Sequence, residues 1–200
     1  MKYPLPIEIV KGRFPVITQE FGNHSNDTWY ASNGIYLQDT GHNGTDIVIG
    51  GGKKQTTDTC GTRLVCPVPV ALKNKVWFTE PMSTQGNGVK VQWNDERGVV
   101  KMTVWHCSET NEQWEYKEGD TLGFMGNSGL VYPKPSVWNA HAGSHLHLMT
   151  YVNDILVDPR EIFDFSQWYV SDVDTSVEKD LSPIQFFLSQ ISDILKGLLK

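Results

Sequence analysis

No run of about 18 consecutive apolar residues occurs in the 200-residue chain, so nothing in it reads as a membrane-spanning helix. The opening segment, MKYPLPIEIVKGRFPVITQEFG, has one early lysine but neither an apolar core of roughly 7–15 residues nor a small-residue cleavage site, which argues against a signal peptide. The expectation is a protein made in the cytoplasm and not exported by its own leader. Basic clusters are also missing: 17 Lys and Arg face 23 Asp and Glu, the formal charge is −6 and the pI about 5.5, so the electrostatic footprint of a nucleic-acid binder is absent. Cys60, Cys66 and Cys107 are too few and too odd in number for a disulfide framework, although one pair can form, and they have no partners at the spacing of a structural zinc site. Their ordinary reading is as small buried apolar groups. No H-E-x-x-H helix is present, which removes the glutamate base of the thermolysin-like enzymes, and Gly123, Gly126 and Gly129 lie outside any strand-to-helix phosphate loop, so they read as backbone turns.

What is present suits one globular domain with an appendage. Apolar residues make up 39% of the chain, enough at this length to bury roughly 70% of the unfolded surface. The apolar runs are brief, at 68–78, 88–93, 99–106 and 145–152, are broken by turns, and have a period nearer two than 3.6. In VVKMTVWH the alternation puts Val100, Met102, Val104 and His106 on one face and Lys101, Thr103 and Trp105 on the other. This predicts a mainly β fold around an antiparallel sheet, over residues 1–168. From 169 to 182 large apolar residues give way to Asp172, Asp174, Glu178 and Asp180, an acidic linker. Residues 183–200 follow as an amphipathic helix, with Ser182 as N-cap, Pro183 at N1 and a wide apolar stripe from Ile184 to Leu199. That stripe can dock on its own domain, on a partner or second copy, or on a membrane surface.

The histidines carry the chemistry. His145 and His147, two apart in an alternating strand, leave the same face while Leu146 and Leu148 pack behind, which makes a metal-binding edge. A catalytic zinc takes about three protein ligands and keeps a place for water. His42 and Asp46 can complete the set if GHNGTD turns tightly into the strand DIVIG. His141 reads as a loop or groove residue and His24 as a surface one. Trp29, Tyr30, Tyr36, Tyr132 and Trp138 fall in the two long loops flanking these segments, where aromatics can hold a peptide or sugar chain.

Taken in order, PVITQEFG (15–22), GHNGTDIVIG (41–50), GTRLVCPVPVALKNKVWF (61–78), GNGVKVQW (86–93), VWHCS (104–108), EGDTLGFMGNSG (118–129) and SHLHLMTYVNDILVDPREIF (144–163) resemble the motifs of the lysostaphin-type zinc endopeptidases, which cleave peptidoglycan and share the duplicated hybrid motif fold. The resemblance implies that His42, Asp46 and His147 bind one Zn2+ per chain and that His106 and His145 act on the reacting atoms, with the choice of base between them left open. Departures from the pattern, Cys107, Leu148-Met149 and Val68-Pro69-Val70, touch no implied ligand. The implied activity is hydrolysis of peptide cross-links or stem peptides of the bacterial wall, and the missing leader fits a phage-borne lysin released at lysis or carried on a virion. The alternatives are a non-catalytic peptidase-like scaffold and a virion or assembly component that binds a partner through its groove or C-terminal helix.

Overall fold

The computed structural model describes residues 1–33, 41–51, 59–73, 85–111 and 113–171. Within them the strands are β1 (Tyr3–Val10), β2 (Phe14–Gln19), β3 (Thr45–Gly50), β4 (Arg63–Val65), β5 (Val70–Lys73), β6 (Asn87–Asp95), β7 (Gly98–Thr110), β8 (Glu115–Lys117), β9 (Thr121–Met125), β10 (Leu146–Val152), β11 (Ile155–Val157) and β12 (Phe163–Ser171). Two short helices join them, α1 (Asp27–Ser32) and α2 (Pro159–Ile162). None of the described helices is long and apolar enough to cross a membrane.

The period-two pattern does what it predicts where one face is buried. In β1, Leu5, Ile7 and Ile9 enter the core while Glu8 turns outward to Arg63. In β10, Leu146 and Leu148 are fully buried and lie against β3 on one side and β7 on the other. The sheet runs β12-β1-β4-β9-β7-β10-β3-β2, with β6, β5 and β8 extending from β7 and β11 hairpinned onto β10. Strand β7 is the hub: its first part pairs with β6 and β10, and its last residues with β9. The β10–β11 turn has two residues of positive φ, Asn153 (50°) and Asp154 (67°), the backbone of a tight type I′ hairpin.

The sheet core is antiparallel as expected, with one parallel pair among the described strands, because β12 returns through α2 and lies parallel to β1, a direction no local pattern encodes. Two expectations are corrected. β12 continues to Ser171, pairing Tyr169, Val170 and Ser171 with Glu8, Ile9 and Val10, so the sheet takes the first three residues of the stretch read as linker; residues 172–200, with the expected helix, lie outside the described residues. Gly123 is a strand residue, not a turn: it sits in β9, where a Cβ would meet the Glu109 carbonyl at 2.5 Å, so glycine lets β9 and β7 approach. The three cysteines are free, with Cys66 and Cys107 in the core and Cys60 half-buried.

Candidate active site

Sheet register brings the first two donors together. Asp46 of β3 pairs directly with His147 of β10, so their side chains leave the same face as neighbours. His42 reaches them from the turn before β3, which is pinned by the Gly22 N–H donating to the His42 carbonyl (2.8 Å) and the His42 N–H donating to the Asn23 carbonyl (3.0 Å). Gly44 lies against the His147 ring, and this closeness is the reason for glycine between His42 and Asp46.

The donor atoms form a small triangle. His147 Nδ1 is 2.8 Å from Asp46 Oδ1 and 3.2 Å from His42 Nε2, which is 3.4 Å from the same carboxylate oxygen. His42 Nδ1 donates to the Glu20 carbonyl (3.2 Å), and since a carbonyl only accepts, His42 Nε2 carries the lone pair. A single N–H, on His147 Nδ1, therefore lies between two acceptors, and all three atoms become converging lone pairs once that proton is lost. Three ligands around a tetrahedral ion at about 2.1 Å are about 3.4 Å apart, so the set fits a zinc ion with little adjustment. His42, Asp46 and His147 are all buried, and among the described residues they are the group placed to hold a metal.

His145 and His106 stand beside the triangle. His145 Nε2 lies 3.7 Å from Asp46 Oδ1, and the His106 ring is 4.5 Å from that of His145 and 6.0 Å from that of His147, centre to centre. Each donates its Nδ1–H to a carbonyl, His106 to Ser128 and His145 to Gly143, both at 2.7 Å, which leaves Nε2 as the basic nitrogen. The alternation in β7 predicts His106 on the Val104 face. Instead His106 has a φ of 62° and its imidazole turns to the face of His147.

Electrostatics favours an ionised Asp46 and neutral imidazoles at His147 and His106. Burial would raise the Asp46 pKa, but the charges and hydrogen bonds of His145, His147 and His42 outweigh it and hold the carboxyl well below its usual range. Burial pushes the His147 imidazole down, with His42 and His145 adding to the shift and Asp46 opposing it. Burial, then His145 and His147, push His106 down to about 3. These are the protonation states a metal ligand set requires.

The site opens into a cleft of about 620 Å³ lined by Trp29, Tyr30 and Tyr132 among others. Trp138, expected at the groove, stands 87% exposed and outside the lining, and Tyr36 lies outside the described residues. His24 is an exposed residue bonded to Asp27, and His141 lends its carbonyl to Ser144. Sequence reasoning missed Gln19, which lines the cleft beside Asp46. Its only signal is a polar residue at the end of an apolar strand inside PVITQEFG.

No protein-family model matches the chain, and no curated protein matches it either. Solved structures do. A zinc-containing peptidase from Vibrio cholerae superposes with a TM-score of 0.50 at 19% identity, over 79% of this chain and 39% of that one. The SpoIIQ–SpoIIIAH pore-forming complex gives 0.52 at 13% identity, over 90% and 97%. The catalytic domain of lysostaphin from Staphylococcus simulans gives 0.48 at 16% identity, over 73% and 90%. The chain thus spans about two fifths of the Vibrio cholerae peptidase and has its fold, in keeping with the lysostaphin-type resemblance of the motifs.

Proposed function

We propose that the chain is a zinc-dependent endopeptidase acting on the peptides of bacterial peptidoglycan. One fold serves a peptidase and a pore-forming complex, so the fold alone does not choose between hydrolysis and assembly. What supports hydrolysis is the donor triangle of His42, Asp46 and His147 with two further imidazoles, those of His106 and His145, beside it. A scaffold that only binds a partner has no use for an anion and four histidines gathered in one cleft.

A zinc ion held by His42, Asp46 and His147 supplies a Lewis acid for the scissile carbonyl and a water acidified toward about pH 7. The chain's own groups do the rest. With Nδ1–H fixed on the Ser128 and Gly143 carbonyls, His106 and His145 present Nε2 as proton acceptors. One takes the proton of the attacking water at its Nε2 and, as the imidazolium so formed, gives that same proton to the leaving amine nitrogen as the C–N bond breaks, while the other stands beside the reacting carbonyl as a second acceptor. Asp46, buried and anionic, steadies whichever imidazole becomes charged. The aromatic rings of the cleft hold the substrate and exclude water.

The test is metal content by mass spectrometry for the parent and for Asp46→Ala, together with clearing of purified peptidoglycan. One zinc per chain in the parent, none in the variant, and clearing only by the parent is the expected result. A parent that binds zinc and releases no peptide fragments from any peptidoglycan type tips the choice to the assembly reading.

A further inference from the structure

One wall of the cleft is aromatic and almost free of charge. From His42 outward the rings form an unbroken series: Tyr30 stacks on His42 (6.2 Å between centres, 17° between planes), Trp29 meets Tyr30 edge-on at 5.2 Å, and Tyr132 meets Trp29 at 6.1 Å. The outermost ring, Tyr132, is 75% exposed, yet its loop is fastened. Ser136 and Asn139 close a turn by reciprocal backbone hydrogen bonds of 3.1 Å, and Asn127 Nδ2 donates to the carbonyls of Ala140 (2.7 Å) and Ala142 (3.0 Å). An exposed ring beside a cleft, paired with Trp29 and carried on a loop fastened a few residues further on, marks a contact surface. The polar groups of the described lining include the amides and hydroxyls of Thr18, Gln19, Asn26, Gln85 and Ser144, and among the described lining residues Asp46 is the one ionisable acid or base apart from the histidines and the tyrosine phenols.

Gln19 adds an independent observation. It is 7% exposed, and its Oε1 accepts from Asn26 Nδ2 (3.1 Å) and the Tyr30 hydroxyl (3.2 Å), while its Nε2 has no partner among the described residues. A buried amide donor at a cleft wall calls for an acceptor from a ligand.

We propose that this wall is a saccharide subsite that receives the N-acetylated hexosamine chain to which wall peptides are joined. The C–H face of a pyranose is apolar and weakly positive and suits the negative faces of Tyr132 and Trp29. Its hydroxyl and acetamido groups are neutral donors and acceptors and suit carboxamides such as Gln19 and Asn26. Carboxylates would call for Lys or Arg, and the described lining contains neither. The choice of sugar rests on the peptidase reading, which it sharpens from a site for peptide to a site for peptide still attached to glycan.

Chitotetraose, a soluble β-1,4-linked N-acetylglucosamine oligomer, titrated calorimetrically into the full chain tests this. Binding is expected in the parent, roughly tenfold weaker in Tyr132→Ala and Trp29→Ala, each lacking one ring contact. It is expected to be parent-like in Tyr132→Phe, which keeps the ring, and in Trp114→Ala, an 80% exposed tryptophan outside the lining. No binding by the parent at millimolar oligosaccharide, or parental binding by Tyr132→Ala, overturns the subsite. Cleavage of a sugar-free cross-linked stem peptide is scored separately. Cleavage without chitotetraose binding discards the subsite and keeps the peptidase, whereas ring-dependent binding without cleavage keeps the subsite and discards the peptidase.

Discussion

Replacing Gly44 by alanine adds one carbon where the turn before β3 meets β10. That carbon would stand 2.7 Å from the Leu148 carbonyl oxygen, 2.7 Å from His147 Cε1 and 2.8 Å from His147 Nε2. These separations are about 0.7 Å short of ordinary contact. Gly44 is not in the left-handed region, so the cost is one of contact, not of backbone conformation. The Leu148 carbonyl belongs to a strand paired on both sides and does not yield. The imidazole of His147, or the turn carrying His42, must move. Overpacking of this kind costs about 1–3 kcal/mol, which in a chain of this size lowers Tm by about 2–4 °C per kcal/mol. The larger effect falls on the site, because a shift of about 1 Å in a positioned group costs on the order of 100-fold in rate, and disturbed support of a metal ligand costs about 10–100-fold in affinity. Urea unfolding in EDTA isolates the steric cost, and competition with a chromophoric chelator reads zinc affinity. A Gly44→Ala protein with the parental urea midpoint and parental zinc affinity refutes the packing of Gly44 on His147.

Changing His106 or His145 to alanine is expected to leave one zinc per chain while peptide release falls at least about 100-fold; metal lost from either variant moves that residue among the ligands. Chelating the metal from the parent should lower its thermal midpoint, and added zinc should restore it, since ligand bound only by the folded state stabilises by mass action; a midpoint indifferent to EDTA contradicts the site. In the metal-free protein, burial holds His106 at about 3 against about 6.5 for an unfolded chain. Between those values the unfolded state binds the extra proton, so the urea midpoint should fall as pH is lowered through this window, and a rise on acidification would count against the burial of a neutral imidazole. Removing residues 183–200 should leave zinc stoichiometry and hydrolysis unchanged, because all five histidine and aspartate positions of the site lie between His42 and His147; loss of zinc from the truncated chain would show that the segment supports the site.

The legible parts of this molecule are those where one physical demand repeats along the chain. β1 and β6 each bury mainly one face, so period-two alternation had to appear in them, whereas β10 is buried on both faces from Leu146 to Thr150 and shows it only in its side-chain polarity. β12 is legible only in part: partly exposed throughout much of its length, it follows no alternation, and its parallel partner β1 is more than 150 residues away in sequence. Residue type marked the imidazoles and the carboxylate as candidates because few other side chains offer lone pairs to a metal. The groups that orient them left no trace, since the carbonyls of Glu20, Ser128 and Gly143 would be there whatever side chains those residues carried.

His106 reaches the cleft by a route that alternation does not give. Strict alternation would bury it under the sheet with Val104. Yet Val104 and Cys107 are both fully buried, so two residues, not one, separate successive inward positions, and the pairing of β7 slips next to this point against both β6 and β9. That is a bulge, and it turns Trp105 and His106 to the same side. Its cost is a non-glycine residue in the left-handed region, about 1–2 kcal/mol, met by the hydrogen bonds from His106 Nδ1 to Ser128 and from its backbone N–H to Gln85. Histidine is among the residues that tolerate this conformation, so one side chain satisfies both the backbone and the chemistry. Asparagine at 106 should therefore keep the bulge and the zinc while losing the proton acceptor, whereas valine should strain the backbone as well, and comparing the two separates the structural from the chemical role of the position.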